Sequence, residues 1–263
     1  EIAQSQLKNN QALSSAFSDA DNVTFCGNGI VLLKNGCIFS VMKNFAQVFK
    51  ISMQIQPNYK KVLFFSQHLS FVFMQRNGGF ASCVTIQMQQ GGQTKEVLNT
   101  ISHKSSTIEC LCPLGKSILV TGGSDCCINA WKLPSFSLMA SIPIQSGVIV
   151  ALGADSLLES IVAIDTQNLV YLLSINPVKH LLTFPLNLPE NVTKHNILLI
   201  RTGIIVVASD SADRKNFTLS FFDLRGFLIK RSNFDGSVAN FFTMYPSFSD
   251  NFVGILVAQT KKL

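Results

Sequence analysis

Long hydrophobic runs are scarce in this chain of 263 residues, and the nearest to one, residues 196–208, is cut by Arg201. A membrane-spanning helix needs about 20 consecutive apolar residues, so none is expected. Charge is sparse as well: 14% of residues are Asp, Glu, Lys or Arg, against 47% hydrophobic residues. That balance excludes a disordered chain and leaves ample material for a core. Seven cysteines make an odd number, and Cys110/Cys112 and Cys126/Cys127 sit too close in sequence for a secreted disulfide framework. Reduced thiols in a cytosolic protein are expected instead. The pairs also lack the C-x-x-C spacing of a zinc knuckle, so no metal is expected, and no cofactor.

The signatures of catalysis are missing too. The sequence holds no Gly-x-Ser-x-Gly elbow, no His-Glu-x-x-His and no phosphate-cradling Gly-x-x-x-x-Gly-Lys. His68, His180 and His195 stand isolated, each read more readily as a hydrogen-bonded structural histidine than as a base. The net charge of +6 comes from scattered Lys and Arg, with pairs only at Lys60-Lys61, Lys230-Arg231 and Lys261-Lys262. Without a basic block or a recognition-helix pattern, nucleic acid is not an expected partner. The chain opens at Glu1 with no initiator methionine, basic leader or signal-like core, and is expected to be a fragment of a longer protein.

What the sequence does contain is short apolar runs, four to eight residues long, separated by Gly, Asn, Asp and Ser from about residue 22 onward. No helical period is sustained, so the reading is all-β. Residues 1–21 are polar and read as a linker or N-terminal extension. Self-similarity then sets the architecture. Similar hairpin patterns recur with anchor residues at Val41, Ile86, Trp131, Tyr171 and Phe222, separated by 45, 45, 40 and 51 residues. A repeat of that length is the mark of a propeller, whose blades bury one another's faces. A sixth copy begins at Val238 and reaches the turn Gln259-Thr260-Lys261-Lys262. Residues 22–263 are therefore expected to form about six four-stranded blades, the last truncated and the propeller incomplete.

Residues 103–131, HKSSTIECLCPLGKSILVTGGSDCCINAW, carry the fullest copy. The pattern resembles a WD repeat, with a histidine before the first strand, Ser/Thr in the second, Asp in the next turn and Trp in the third. The resemblance implies a structural tetrad of His103, Thr121, Asp125 and Trp131, in which imidazole bridges carboxylate and hydroxyl and the hydroxyl meets the indole N–H. In this reading the set holds a blade together, its likeness to an Asp-His-Ser relay notwithstanding. The sialidase-type propeller motif fails around Asp125, where Gly123 and Cys127 occupy positions needing Ser/Thr and Gly.

More closely, SILVTGGSDCCINAWKL and GIIVVASDSADRKNFTLSFFDLRGFLIK are similar to the C-terminal WD repeats of BEACH-domain (beige/neurobeachin-like) proteins. The similarity covers about residues 103–263, although His103 stands five residues before Ile108 where four is usual. It implies a non-catalytic scaffold in vesicle and lysosome-related traffic, cytoplasmic and at most peripheral to membranes through its parent protein. Protein partners would meet the propeller faces, with no partner-binding residue assigned. A lipid-contacting coat module and a propeller enzyme are the alternatives. The Phe pairs 64–65, 221–222 and 241–242 are read as core.

Overall fold

A computed structural model describes residues 22–26, 29–34, 38–43, 46–52, 59–65, 70–75, 80–88, 94–103, 106–188, 192–200, 202–213, 215–244 and 252–258. Side chains are described chiefly within residues 99–188 and 195–236. Every regular element among them is a strand, and no helix is long and apolar enough to cross a membrane. The expected linker, the turns at Asn35-Gly36, Arg76 to Gly79 and Gln259 to Lys262, and His68 lie outside the described residues.

The strands fall into consecutive antiparallel sheets. Blade 1 is β1 (Asn22–Cys26), β2 (Gly29–Lys34), β3 (Ile38–Lys43) and β4 (Ala46–Ser52). Blade 2 is β5 (Tyr59–Phe65), β6 (Ser70–Gln75), β7 (Phe80–Met88) and β8 (Thr94–Ser102). Blade 3 is β9 (Ile108–Leu114), β10 (Ile118–Gly123), β11 (Cys127–Lys132) and β12 (Ser137–Pro143). Blade 4 is β13 (Ile149–Asp155), β14 (Ser160–Asp165), β15 (Leu169–Ile175) and β16 (Val178–Pro185). Blade 5 is β17 (Val192–Ile200), β18 (Ile204–Ser211), β19 (Asn216–Asp223) and β20 (Leu228–Asp235). A sixth sheet pairs β21 (Ser237–Met244) with β22 (Phe252–Ala258). The first strands of successive blades lie side by side, β9 against β13, β13 against β17 and β17 against β21, so each blade is strung outward from a common inner edge.

Because side chains alternate across a strand, an inner strand with neighbours on both faces must be apolar at successive positions. In blade 3, Leu111, Leu119 and Trp131 pack on Leu63, Phe65, Val72 and Met74 of blade 2. The opposite face, Cys110, Cys112, Val120 and Ile128, packs on Ile149, Ile161, Tyr171 and Leu173 of blade 4. Blade 4 in turn meets Ile197, Ile205, Val207 and Phe222 of blade 5, where the rings of Phe184 and Phe222 lie 5.1 Å apart. Clearance between inner strands is small: a Cβ at Gly153 would lie 2.7 Å from the Ile197 carbonyl oxygen of the next blade. By contrast the fourth strands, β12, β16 and β20, are mostly exposed.

The register revises two anchors. Where the third strand meets the fourth, a bulge inserts one extra residue: Val48, Met139, Leu181 and Ile229 in blades 1, 3, 4 and 5. The third-strand residue just past the shift is Met42, Trp131, Leu173 and Phe222 respectively. Phe222 therefore matches Trp131 as expected, but Met42 replaces Val41 and Leu173 replaces Tyr171. The error in blade 4 has a plain cause. Asp165 stands six residues before Tyr171, as Asp125 does before Trp131, yet Asp165 ends β14 at the register of Gly123: the Asp165 and Gly123 carbonyls accept the amides that close the two β-turns, from Asn168 and Cys126 respectively.

Candidate functional site

Four separated sequence positions converge at the blade 3 end that carries the β10–β11 turn. His103 precedes β9, Thr121 lies in β10, Asp125 in the turn and Trp131 in β11. His103 Nδ1 is 2.8 Å from Asp125 Oδ1, His103 Nε2 is 2.8 Å from Thr121 Oγ1, and the Trp131 indole N–H donates to Thr121 Oγ1 at 2.8 Å. A neutral imidazole protonated on Nδ1 completes one donor chain, from indole to hydroxyl to imidazole to carboxylate, with no group left over. Asp125 Oδ1 also accepts from the Cys127 amide at 3.1 Å, tying the turn to the knot. Gly123 is needed for closeness, since a Cβ there would lie 2.5 Å from His103 Nδ1.

The likeness to a nucleophilic relay ends at access. Thr121 is 0% and His103 1% exposed, and the hydroxyl that would attack already accepts the indole proton. Nothing can reach the oxygen without opening the blade, so the chemistry available is hydrogen bonding.

Blade 4 and its junction with blade 5 use another arrangement, which motif reading missed. Asp165 is fully buried, and its Oδ1 accepts from the amides of Gln167 at 2.9 Å and Leu169 at 3.0 Å. Its Oδ2 accepts from Ser146 Oγ at 2.7 Å and Tyr171 Oη at 2.8 Å, and those two hydroxyls also touch each other. Burial raises the Tyr171 phenol above its ordinary range, with Asp165 adding to the rise and Ser146 opposing it. Next to this knot, His195 Nε2–H donates to Asn168 Oδ1 of blade 4 at 2.7 Å, while Ser209 Oγ–H donates to Nδ1 at 3.0 Å. Burial pushes the His195 imidazole below its ordinary value, against a weaker upward pull from Asp210. His180 is exposed and bonds Thr183 at 2.6 Å. Tyr171, chosen as a tryptophan counterpart, was the available signal for this second knot; Ser146 sits in a loop and gave none.

Cys110 and Cys112 are buried thiols, and Cys126 in the β10–β11 turn and Cys127 at the start of β11 are half-buried. Burial, then the Asp125 charge, pushes the Cys127 thiol up, which disfavours the thiolate. Among the described residues no three His, Cys, Asp or Glu side chains are grouped to hold a metal ion.

Blades strung from a common inner edge, together with this knot, can be compared with solved structures. The chain superimposes on the WD40 domain of Toxoplasma gondii coronin with a TM-score of 0.61, covering 87% of this chain and 62% of that one at 11% identity. The fold is a WD40 β-propeller. The β-propeller domain of Myceliophteria thermophila Cps50 (Swd1) is similar too, with a TM-score of 0.59, 10% identity, and coverage of 80% of this chain and 71% of that one. No protein-family model and no curated protein matches the sequence. At such identities the likeness establishes the WD40 propeller fold, and the chain spans less than two thirds of the coronin domain.

Proposed function

We propose that this WD40 propeller is a non-catalytic scaffold that holds its turns in fixed positions for protein partners. We propose further that it is the propeller segment of a BEACH-type protein in cytoplasmic vesicle and lysosome-related traffic. The observation that carries the first part is the sealed tetrad: the His–Asp–hydroxyl set is spent on holding a blade together at 0–1% exposure of Thr121 and His103. Rigid sheets presenting turns on two ends suit recognition better than turnover. The second part rests on the sequence resemblance across residues 103–263.

Cross-linking in cells expressing the full-length protein tests both. Cross-links from the turns to a small set of proteins of the vesicle and lysosomal surface are expected, along with altered lysosome-related compartments when the gene is deleted. Turns without protein cross-links would overturn the scaffold reading. Unchanged compartments with partners elsewhere would overturn the assignment to traffic and leave the scaffold standing.

A further inference from the structure

The two ends of the blades differ in chemistry. Since consecutive strands are antiparallel, the first and third turns of each blade fall at one end and the middle turn falls at the other. Gly115 and Ser156, in the first turns of blades 3 and 4, are neighbours, as are Gly203 and Leu224 in the first and third turns of blade 5. This end displays Leu157 at 68% exposure in the β13–β14 turn, Phe227 at 65% in the β19–β20 turn, and Val178 and Leu224 beside them. Its charged side chains among the described residues are Lys116, Lys132, Lys179, Arg225 and Lys230, against Glu159, Asp223 and a buried Asp155. Among the described side chains the opposite end has Glu109, Asp125, Asp213 and Asp235, with Asp165 and Asp210 buried, against Lys215, which pairs with Asp213, and Arg231, whose guanidinium donates to the carbonyls of Leu186 and Asn187 between blades 4 and 5.

We propose that the end bearing Leu157 and Phe227 docks on an anionic lipid surface. Both apolar tips are held out by polar frames built from the residues behind them. Asp155 Oδ1 accepts from the amides of Leu157 at 2.8 Å and Leu158 at 3.1 Å. Asp223 Oδ1 accepts from the amides of Arg225 and Phe227, each at 2.9 Å, and the Asp223 amide donates back to the Phe227 carbonyl. Those bonds hold the Asp223 carboxyl below the usual aspartate range and bind it to Arg225, so its charge is largely answered within the turn. Both apolar side chains stand in water, the Phe227 ring with the Arg225 guanidinium 5.4 Å from its centroid.

Separate protruding tips do not make a groove for a protein segment. A lipid headgroup layer, however, deforms around each tip, and cations beside inserted aromatic and leucine side chains gain from anionic headgroups. Among the described side chains the acidic excess lies at the opposite end, so the field they make favours the same end facing the membrane. This docking is independent of the protein partners proposed above.

The test is co-sedimentation of the full chain with phosphatidylcholine vesicles, with and without about one part in three of phosphatidylserine. Binding is expected only to the anionic vesicles, and to weaken as salt rises. The double variant Leu157→Ser, Phe227→Ser should bind about tenfold more weakly at an unchanged melting temperature, whereas Lys215→Ala at the other end should bind like the parent. Equal binding to neutral and anionic vesicles, no binding at all, or full binding by the double variant would each overturn the proposal. If vesicle binding is absent and the double variant instead loses protein cross-links, this end is a protein interface and the scaffold reading survives without the lipid.

Discussion

Blades 3 and 4 satisfy the same physical demand with different residues. Each carries buried polar groups at the end where its second and third strands turn. Blade 3 strings four side chains in a line, so that each group has one or two partners and the terminal carboxylate of Asp125 remains 21% exposed. Blade 4 gathers its donors around one carboxylate, Asp165, which is fully enclosed and accepts four hydrogen bonds. The donors of these two knots are satisfied by different residues, so the demand leaves wide choice in which side chain meets it.

The largest effect should come from the aromatic anchor of blade 3. Trp131→Ala removes both the packing against blade 2 and the indole donor, and should cost about 3–5 kcal/mol; its counterpart Leu173→Ala, which has no polar partner to lose, should cost about 2–4 kcal/mol. Urea midpoints of the two variants measure the gap, and a larger cost at Leu173 would show that packing alone decides both blades. Next come the carboxylates. Asp165→Ala should destabilise by about 3 kcal/mol and Asp125→Ala by about 1–2 kcal/mol, since enclosure and the number of stranded donors both favour the former. The reverse order would mean that the linear knot is the more cooperative one.

A smaller effect is expected at the seam between blades 4 and 5. The folded state holds His195 below its ordinary value of 6.5, so below that value the unfolded chain takes up the proton more readily. Stability from this group is complete above about pH 6.5 and is lost as pH falls toward the depressed folded value. Melting temperatures recorded from pH 8 down to about pH 5 should drop over that window, and His195→Gln should flatten the drop. Smallest of all is the turn. Cys126 adopts φ 58° where blade 4 has Asn168 at 62°, and asparagine tolerates that region better than cysteine. Cys126→Asn should raise stability by about 0.5 kcal/mol, read as a shift in the urea midpoint; a loss instead would give the thiol a packing role.

Strand order and blade number were legible in the sequence because Gly, Asn and Asp punctuate apolar runs at nearly regular intervals. The tetrad positions were legible because His103, Thr121, Asp125 and Trp131 keep a familiar order. Register was not, for a local reason. A bulge at the third-to-fourth strand junction leaves no mark in composition, so Val41 and Met42 look interchangeable in MKNF-type text. In blade 4, Asp165 and Tyr171 happen to repeat the six-residue spacing of Asp125 and Trp131 while sitting two positions away in the sheet. The second knot was hidden more deeply, since Ser146 reaches Asp165 from a loop and His195 reaches Asn168 from another blade. The contrast between the two ends depends on which turns share a side, and that follows from topology.

The recurrent bulge gives blades 1, 3, 4 and 5 some slack at their periphery. Met139, Leu181 and Ile229 are surplus residues, at 46–58% exposure, and each lets the outermost strand change phase while the three strands inside keep theirs. Lengthening the chain there by a residue, or hanging an epitope or fluorophore from it, alters the margin of a sheet whose interior alignment is already uncoupled from it.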